Sequence, residues 1–95
     1  MPPFVLDFEF DEANTRKIEA HGITEDEVNS VLTNNPRFIL NKRGRAGSYL
    51  MIGPTLGGKM LTVPLAPVKD KPGLWRPVTA WHSSRGEIAQ WQRGG

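Results

Sequence analysis

Apolar residues alternate with acidic ones at the start of the chain. Phe4, Leu6 and Phe8 fall on one side of an extended backbone, and the other side is largely acidic. A period of two is typical of a strand with one buried face. The pattern predicts a half-buried strand over residues 4–9.

A first helix is predicted directly after this strand. Asp11 is an N-cap residue, and Gly22 supplies the left-handed conformation with which helices commonly end, so the helix runs to about His21. Lys17 and His21 are four positions apart and share one face of this helix. That face is either functional or an ordinary solvated surface.

A second helix is specified more fully by its ends. Thr24 and Glu27 have the spacing of a capping box, in which each side chain accepts a hydrogen bond from the other residue's backbone. Ile23 and Val28 occupy the two positions of a hydrophobic staple around that box. The helix ends before Pro36, because proline disfavours helical backbone at the residue that precedes it.

The middle of the chain has the pattern of strands. Strands are predicted over residues 37–41, 48–53, 59–65 and 74–82. The short turns between them are rich in glycine, proline and charged residues, which is typical of an antiparallel meander. Pro64 and Pro67 lack an amide donor, so the third of these strands is predicted to break, bulge or run along an edge in its second half.

A short helix closes the chain. Ser84 and Glu87 form a second capping box, which starts a helix that runs to about Arg93. Ile88 and Trp91 are three positions apart, so one side of this helix is predicted to bury both.

The order of these elements predicts a single α+β domain over residues 1–95, with Gly94 and Gly95 frayed at its end. Its sheet is expected to be small and antiparallel, with four to five strands. The two N-terminal helices are expected to pack on one face of that sheet, followed by the short C-terminal helix.

The composition narrows the classes of function. The 95 residues include no cysteine, which excludes a disulfide framework and a thiolate zinc site. The two histidines lack carboxylates at metal-ligand spacing, so neither a metal nor another cofactor is expected. The chain has neither the pattern of a signal peptide nor a long apolar segment, which predicts a cytoplasmic protein without a membrane partner.

The charge is distributed unevenly along the chain. Residues 1–34 contain two basic and eight acidic residues, a net charge of −6, whereas residues 35–95 contain ten basic and two acidic residues, a net charge of +8. A basic half can attract a polyanion such as RNA or an acidic protein partner. The alternative is an ordinary solvated surface.

The glycine-rich run from Gly53 to Lys59 superficially resembles a phosphate-binding loop. It lacks the required spacing, lacks a serine or threonine after the lysine, and joins two predicted strands instead of entering a helix. We interpret it as the turn of a β-hairpin.

The candidate chemistry centres on His82, at the predicted end of a strand. Metal-independent cleavage of RNA needs a group that takes the 2′-hydroxyl proton, a group that protonates the leaving oxygen, and cations that stabilise the charged transition state. Histidine can perform either proton transfer near neutral pH. Arg76 and Arg85 are candidate phosphate clamps, and in an unbroken strand Arg76 would face the same side as His82.

A wider set of residues is predicted to contact RNA. The candidates are Arg37, Lys42, Arg43, Arg45, Lys59, Lys17 and His21 for the backbone, and Tyr49 and Trp81 for stacking on bases. Structural alternatives stand beside these roles. A strand-end histidine is more often structural than catalytic, and either aromatic ring can belong to the core.

The ordered series of motifs resembles the BrnT-like toxins of type II toxin–antitoxin modules. The series consists of residues 8–14, 17–18, 21–23, 25–28, 49–55, 58–63 and 78–80, followed by Glu87. The resemblance extends from about residue 8 to residue 91. It implies the RelE-type ribonuclease fold, metal-independent cleavage of RNA that slows translation, and neutralisation by a cognate antitoxin in a homo- or hetero-oligomer.

The sequence departs from the family pattern after the last strand. BrnT-like sequences usually carry an arginine and a second basic residue where this chain has Trp81 and His82, and a tyrosine where it has Trp91. Three hypotheses follow. The first is an endoribonuclease toxin that uses His82, the alternative is a non-catalytic RNA- or protein-binding module with a toxin-like fold, and the third is a purely structural interaction protein.

Overall fold

The computed structural model describes residues 3–42 and 48–94. Within these ranges the elements are β1 (Asp7–Phe8), α1 (Glu12–Ala20), α2 (Glu25–Leu32), β2 (Arg37–Leu40), β3 (Tyr49–Pro54), β4 (Met60–Pro67), β5 (Leu74–Pro77), β6 (Trp81–His82) and α3 (Arg85–Arg93). They form a small α+β domain, as predicted. None of the helices in the described ranges is long and apolar enough to cross a membrane.

The sheet is mixed and contains six strands in the described ranges, where four to five antiparallel strands were expected. Its order is β1-β5-β4-β3-β2, and β6 also pairs with β4. The strands linked by short turns are antiparallel, but β1 runs parallel to β5. The prediction of an antiparallel sheet is wrong at this pair, because short turns constrain only strands that are neighbours in sequence.

The first strand is shorter than the predicted span of residues 4–9. Phe4 and Leu6 are 63% and 66% exposed, although the alternating pattern placed them on a buried face. The backbone N–H of Leu6 donates to the carbonyl of Gly73 at 2.8 Å, and the indole of Trp75 donates to the carbonyl of Phe4 at 2.8 Å. These bonds hold the segment against a turn, beyond the end of the ladder.

β4 is the central strand of the sheet, which corrects the prediction that its proline-containing half breaks or lies at an edge. It is continuous to Pro67 and pairs with β3 on one side and with β5 and β6 on the other. Pro64 accepts a hydrogen bond from the N–H of Val78 at 2.9 Å but has no N–H to return. The missing donor falls opposite residues 78–80, where the neighbouring strand is interrupted, so no residue of a described strand pairs with Pro64 on that side.

The predicted strand over residues 74–82 is divided by a one-residue bulge. Leu65 lies opposite Pro77, whereas Thr62 lies opposite Trp81. Two residues of β4 therefore face the three residues 78–80. The extra residue reverses the alternation of side chains between β5 and β6.

The helices cover both faces of the sheet. The α1 and α2 helices pack on one face, where they share a core with the central strands; its buried members include Ile18, Ile23, Val28, Val31, Met51, Leu61, Val63, Leu65 and Ala80. On the other face, Thr62 lies under the start of α3, and its hydroxyl is 2.8 Å from that of Ser83. Ile88 and Trp91 of α3 are half-buried, short of the full burial that their spacing predicted.

Capping boxes start all three described helices. The boxes predicted at Thr24–Glu27 and Ser84–Glu87 are confirmed, and Asp11 caps α1 as expected. The side chain of Asn14 completes the box of α1, because its Oδ1 accepts from the N–H of Asp11 at 2.8 Å. Its amide nitrogen also donates to the carbonyl of Glu9 at 3.0 Å, and Asn14 is almost fully buried. Asn14 thus connects the end of β1 to the start of α1.

We predict that Asn14→Ala lowers the free energy of unfolding by about 2 kcal/mol, because it leaves the N–H of Asp11 and the carbonyl of Glu9 without partners. Urea denaturation measures the difference. Asn29→Ala is the matched control, since Asn29 is exposed on α2 and its replacement by alanine raises the helix propensity by the same amount. The control should change stability by no more than about 0.5 kcal/mol. Equal stability of the two variants would contradict the proposed role of Asn14.

Candidate functional site

His82 lies at the end of β6, which is fixed by two hydrogen bonds of the next residue. The N–H of Ser83 donates to the carbonyl of Met60 at 2.9 Å, and its hydroxyl is 2.8 Å from that of Thr62. The ring of His82 is exposed and makes no hydrogen bond or ion pair with a described residue. A rigid strand end therefore presents an accessible imidazole.

The start of α3 is built around Glu87. Its carboxylate accepts from the N–H of Ser84 at 2.8 Å and from the indole of Trp81 at 3.1 Å. This pair of bonds fixes Trp81 against the first turn of the helix. Trp81 is half-buried there, so part of its ring packs against the protein.

Arg85 occupies the first turn of α3, three residues after His82. It is exposed and forms no ion pair or side-chain hydrogen bond in the part of the chain that the structure describes. The helix dipole disfavours a cation at this end. An anion bound beside Arg85 would offset that unfavourable interaction.

Lys59 lies next to the same strand end, since it precedes Met60, whose carbonyl binds the backbone of Ser83. Lys59 is the last residue of the turn between β3 and β4, which confirms that the glycine-rich run is the turn of a β-hairpin. The ammonium of Lys59 is 3.1 Å from the carboxylate of Glu27 in α2. The strand pairing therefore places Lys59 beside the end of β6, and the carboxylate of Glu27 neutralises part of its charge.

Arg76 does not join this group, which corrects the expectation that it faces the same side as His82. Arg76 lies opposite Ala66 and His82 lies opposite Leu61, and these β4 residues are an odd number of positions apart. Their side chains therefore point to opposite faces of the sheet. The guanidinium of Arg76 is 2.8 Å from the carboxylate of Asp11, the N-cap of α1. Arg76 holds the helix to the strand.

The remaining candidates are scattered over the surface. Lys17 lies in the last turn of α1 and His21 is its C-cap; both are exposed, and neither forms a side-chain bond with another described residue. Lys42 is exposed just beyond β2. Tyr49 packs edge-on against Trp75, with ring centroids 5.8 Å apart. Arg43 and Arg45 lie outside the described residues.

A cleft near the far end of α3 was missed by the sequence analysis. It has a volume of about 460 Å³ and is lined by Asn35, Pro36, Arg37, Trp91, Gln92 and Gly94. The indole of Trp91 donates to the carbonyl of Asn35 at 3.0 Å, which joins the helix to the turn before β2. The sequence named Arg37 as a candidate RNA contact and indicated burial of Trp91, but it gave no sign that the two residues line one cleft.

No protein-family model matches this chain, and no related curated protein is found. The resemblance to BrnT-like toxins is accordingly carried by the ordered sequence motifs. Within residues 3–42 and 48–94, no group of three metal-ligating side chains gathers closely enough to hold a metal ion.

The ion pair at the site has a consequence for stability at acidic pH. The backbone N–H of Thr24 and the ammonium of Lys59 favour the ionised carboxylate, so they lower the pKa of Glu27 below its ordinary value of 4.5. A lowered pKa in the folded state stabilises the protein above the unfolded-state pKa. That stabilisation is lost as the pH falls through the folded-state pKa.

We predict that Glu27→Gln lowers the free energy of unfolding at pH 7, by up to about 1 kcal/mol, and has a smaller effect at pH 3. Glutamine retains the capping box, so the substitution removes only the charge. Urea midpoints at the two pH values provide the measurement. Glu19→Gln is the control, because Glu19 is exposed and forms no ion pair with a described residue. An equal effect of Glu27→Gln at both pH values would refute the assignment.

Proposed function

We propose that this chain is the RNA-cleaving toxin of a type II toxin–antitoxin module, acting in the cytoplasm, with His82 as its proton-transfer residue. One observation carries the proposal. The exposed imidazole of His82 stands on a fixed strand end with Lys59 on the adjoining hairpin and Arg85 in the following turn. The ordered resemblance to BrnT-like toxins supports the same reaction.

The residues at this strand end can perform the cleavage step. His82 takes the proton of a ribose 2′-hydroxyl, whose oxygen then attacks the adjacent phosphorus. A bond forms between that oxygen and phosphorus, and the bond from phosphorus to the 5′ oxygen breaks. The products are a 2′,3′-cyclic phosphate and a 5′-hydroxyl, whose oxygen receives a proton from water or from the protonated His82. Lys59 and Arg85 stabilise the negative charge that develops on the phosphate oxygens.

Lys59 takes the role that the sequence analysis gave to Arg76. The phosphate must compete with Glu27 for the ammonium of Lys59, whereas Arg85 is available without such competition. Arg85 can also hold a phosphate through two parallel hydrogen bonds. Arg85 is therefore the principal clamp in this mechanism.

The alternative is a non-catalytic module that binds RNA or a protein through the same surface. The observation that favours it is the ion pair between Arg76 and Asp11, which removes one of the three residues first assigned to catalysis. In either case a cognate antitoxin that is acidic where it contacts Lys59 and Arg85 is the proposed protein partner.

We predict that His82→Ala abolishes RNA cleavage and leaves RNA affinity within about threefold, because the substitution removes proton transfer and retains the cations. Inducible expression in a bacterium, with growth and total RNA followed over time, tests activity in the cell. A labelled oligoribonucleotide tests cleavage and binding with purified protein. His21→Ala, which removes the other histidine, is expected to retain cleavage with at most weaker binding.

The outcomes separate the two functions. Wild-type cleavage that His82→Ala does not reduce would overturn the assigned mechanism. Binding without cleavage by the wild type would favour the non-catalytic module, and its affinity should then fall steeply with salt as phosphate contacts release counterions.

A further inference from the structure

We propose that the cleft between the start of β2 and the end of α3 is a nucleotide subsite, in which Arg37 binds a phosphate and Trp91 stacks on the adjoining base. The inference rests on the proposed RNA substrate and assigns a second position on it. The volume of about 460 Å³ lies within the range of small-ligand sites and can hold one nucleotide.

Arg37 is the cation of this cleft. It is half-buried, yet it forms no ion pair and no side-chain hydrogen bond with any residue in the described ranges. The guanidinium has five N–H donors and no acceptor, so it needs an acceptor from a ligand or from water. Its fork shape matches two oxygens of one phosphate.

The position of Arg37 depends on Gly94. A Cβ atom added at Gly94 would fall 1.3 Å from Cζ of Arg37, so the guanidinium occupies the space that any larger residue would need. Gly94 has φ −83°, a conformation open to all residues. The contact with Arg37, and not the backbone, is therefore what alanine at this position would disturb.

The other walls of the cleft fit a base. Trp91 is half-buried, and its indole N–H is satisfied by the carbonyl of Asn35, which fixes the ring and leaves its apolar surface for stacking. Gln92 is exposed at the rim, and its amide can both donate to and accept from the edge of a base. A phosphate with an attached planar ring satisfies these groups together.

The spacing of the cleft from Arg85 suits a single strand of RNA. Arg37, Ile52, Thr62 and Trp81 lie opposite one another in successive strands, so Arg37 shares their face of the sheet and is three strand spacings, about 14 Å, from Trp81, whereas His82 points to the other face. This is the length of about four stacked nucleotide steps. The nine residues of α3 cover a similar length and connect Arg85 to the cleft.

The test uses adenosine 5′-monophosphate as the probe, with the indole N–H resonances of the full chain as the readout. The three tryptophans donate to different acceptors, so they report on separate sites, and Trp91→Phe assigns the resonance of Trp91. We expect the probe to shift the Trp91 resonance and not that of Trp75. Arg37→Ala and Gly94→Ala should each weaken binding at least about tenfold. Lys69→Ala, which removes an exposed cation in the β4–β5 turn, should not weaken it.

A Trp91 resonance that does not move at millimolar probe, or that moves equally in Arg37→Ala, would overturn the subsite. Binding of the probe in the cleft is measured separately from RNA cleavage, so the two proposals can fail independently. If the probe binds in the cleft but RNA is not cleaved, the subsite stands and the toxin function fails. If RNA is cleaved with an unchanged KM by Arg37→Ala, the subsite fails and the toxin function stands.

Discussion

The arrangement of the site depends on one constraint, which is that Pro64 in the central strand has no backbone N–H to donate. A proline inside a sheet needs a neighbour that does not require its donor, and here the neighbour is the bulge over residues 78–80. The bulge reverses the side-chain alternation of the strand. It places Ala80 in the main core and turns Trp81 towards α3, while Arg76 and His82 point to opposite faces.

Local signals in the sequence predicted the helices well. Each capping interaction joins residues three positions apart, so the pairs Thr24–Glu27 and Ser84–Glu87 contain the whole signal for where these two helices begin. The strands with short turns were also predictable. The bulge was not, because Pro64 allowed a break, a bulge or an edge position, and only the pairing partners decide which of these is adopted. The parallel pairing of β1 similarly depends on β5, which lies far along the chain.

At the candidate site too, the sequence predicted the local features but not the contacts between residues that are far apart in the chain. The strand-to-helix junction and the exposure of His82 followed from its position, but the partners of the basic residues did not. The acidic first third of the sequence pairs with the basic remainder at two places, Asp11 with Arg76 and Glu27 with Lys59. The charge imbalance counted along the chain is thus partly cancelled in space. The charges of Arg37 and Arg85 are not offset in this way, because no described acidic side chain pairs with either residue.

The parallel pair formed by β1 and β5 also has a consequence for folding. The pairing of Asp7 with Leu74 closes a long loop, and this closure costs more conformational entropy than the formation of local contacts. The antiparallel hairpins and capped helices need no such closure. We therefore expect the hairpins to form early and β1 to dock late. Until that step is complete, the indole of Trp75 lacks its carbonyl acceptor and the edge of β5 is open to pairing with another chain.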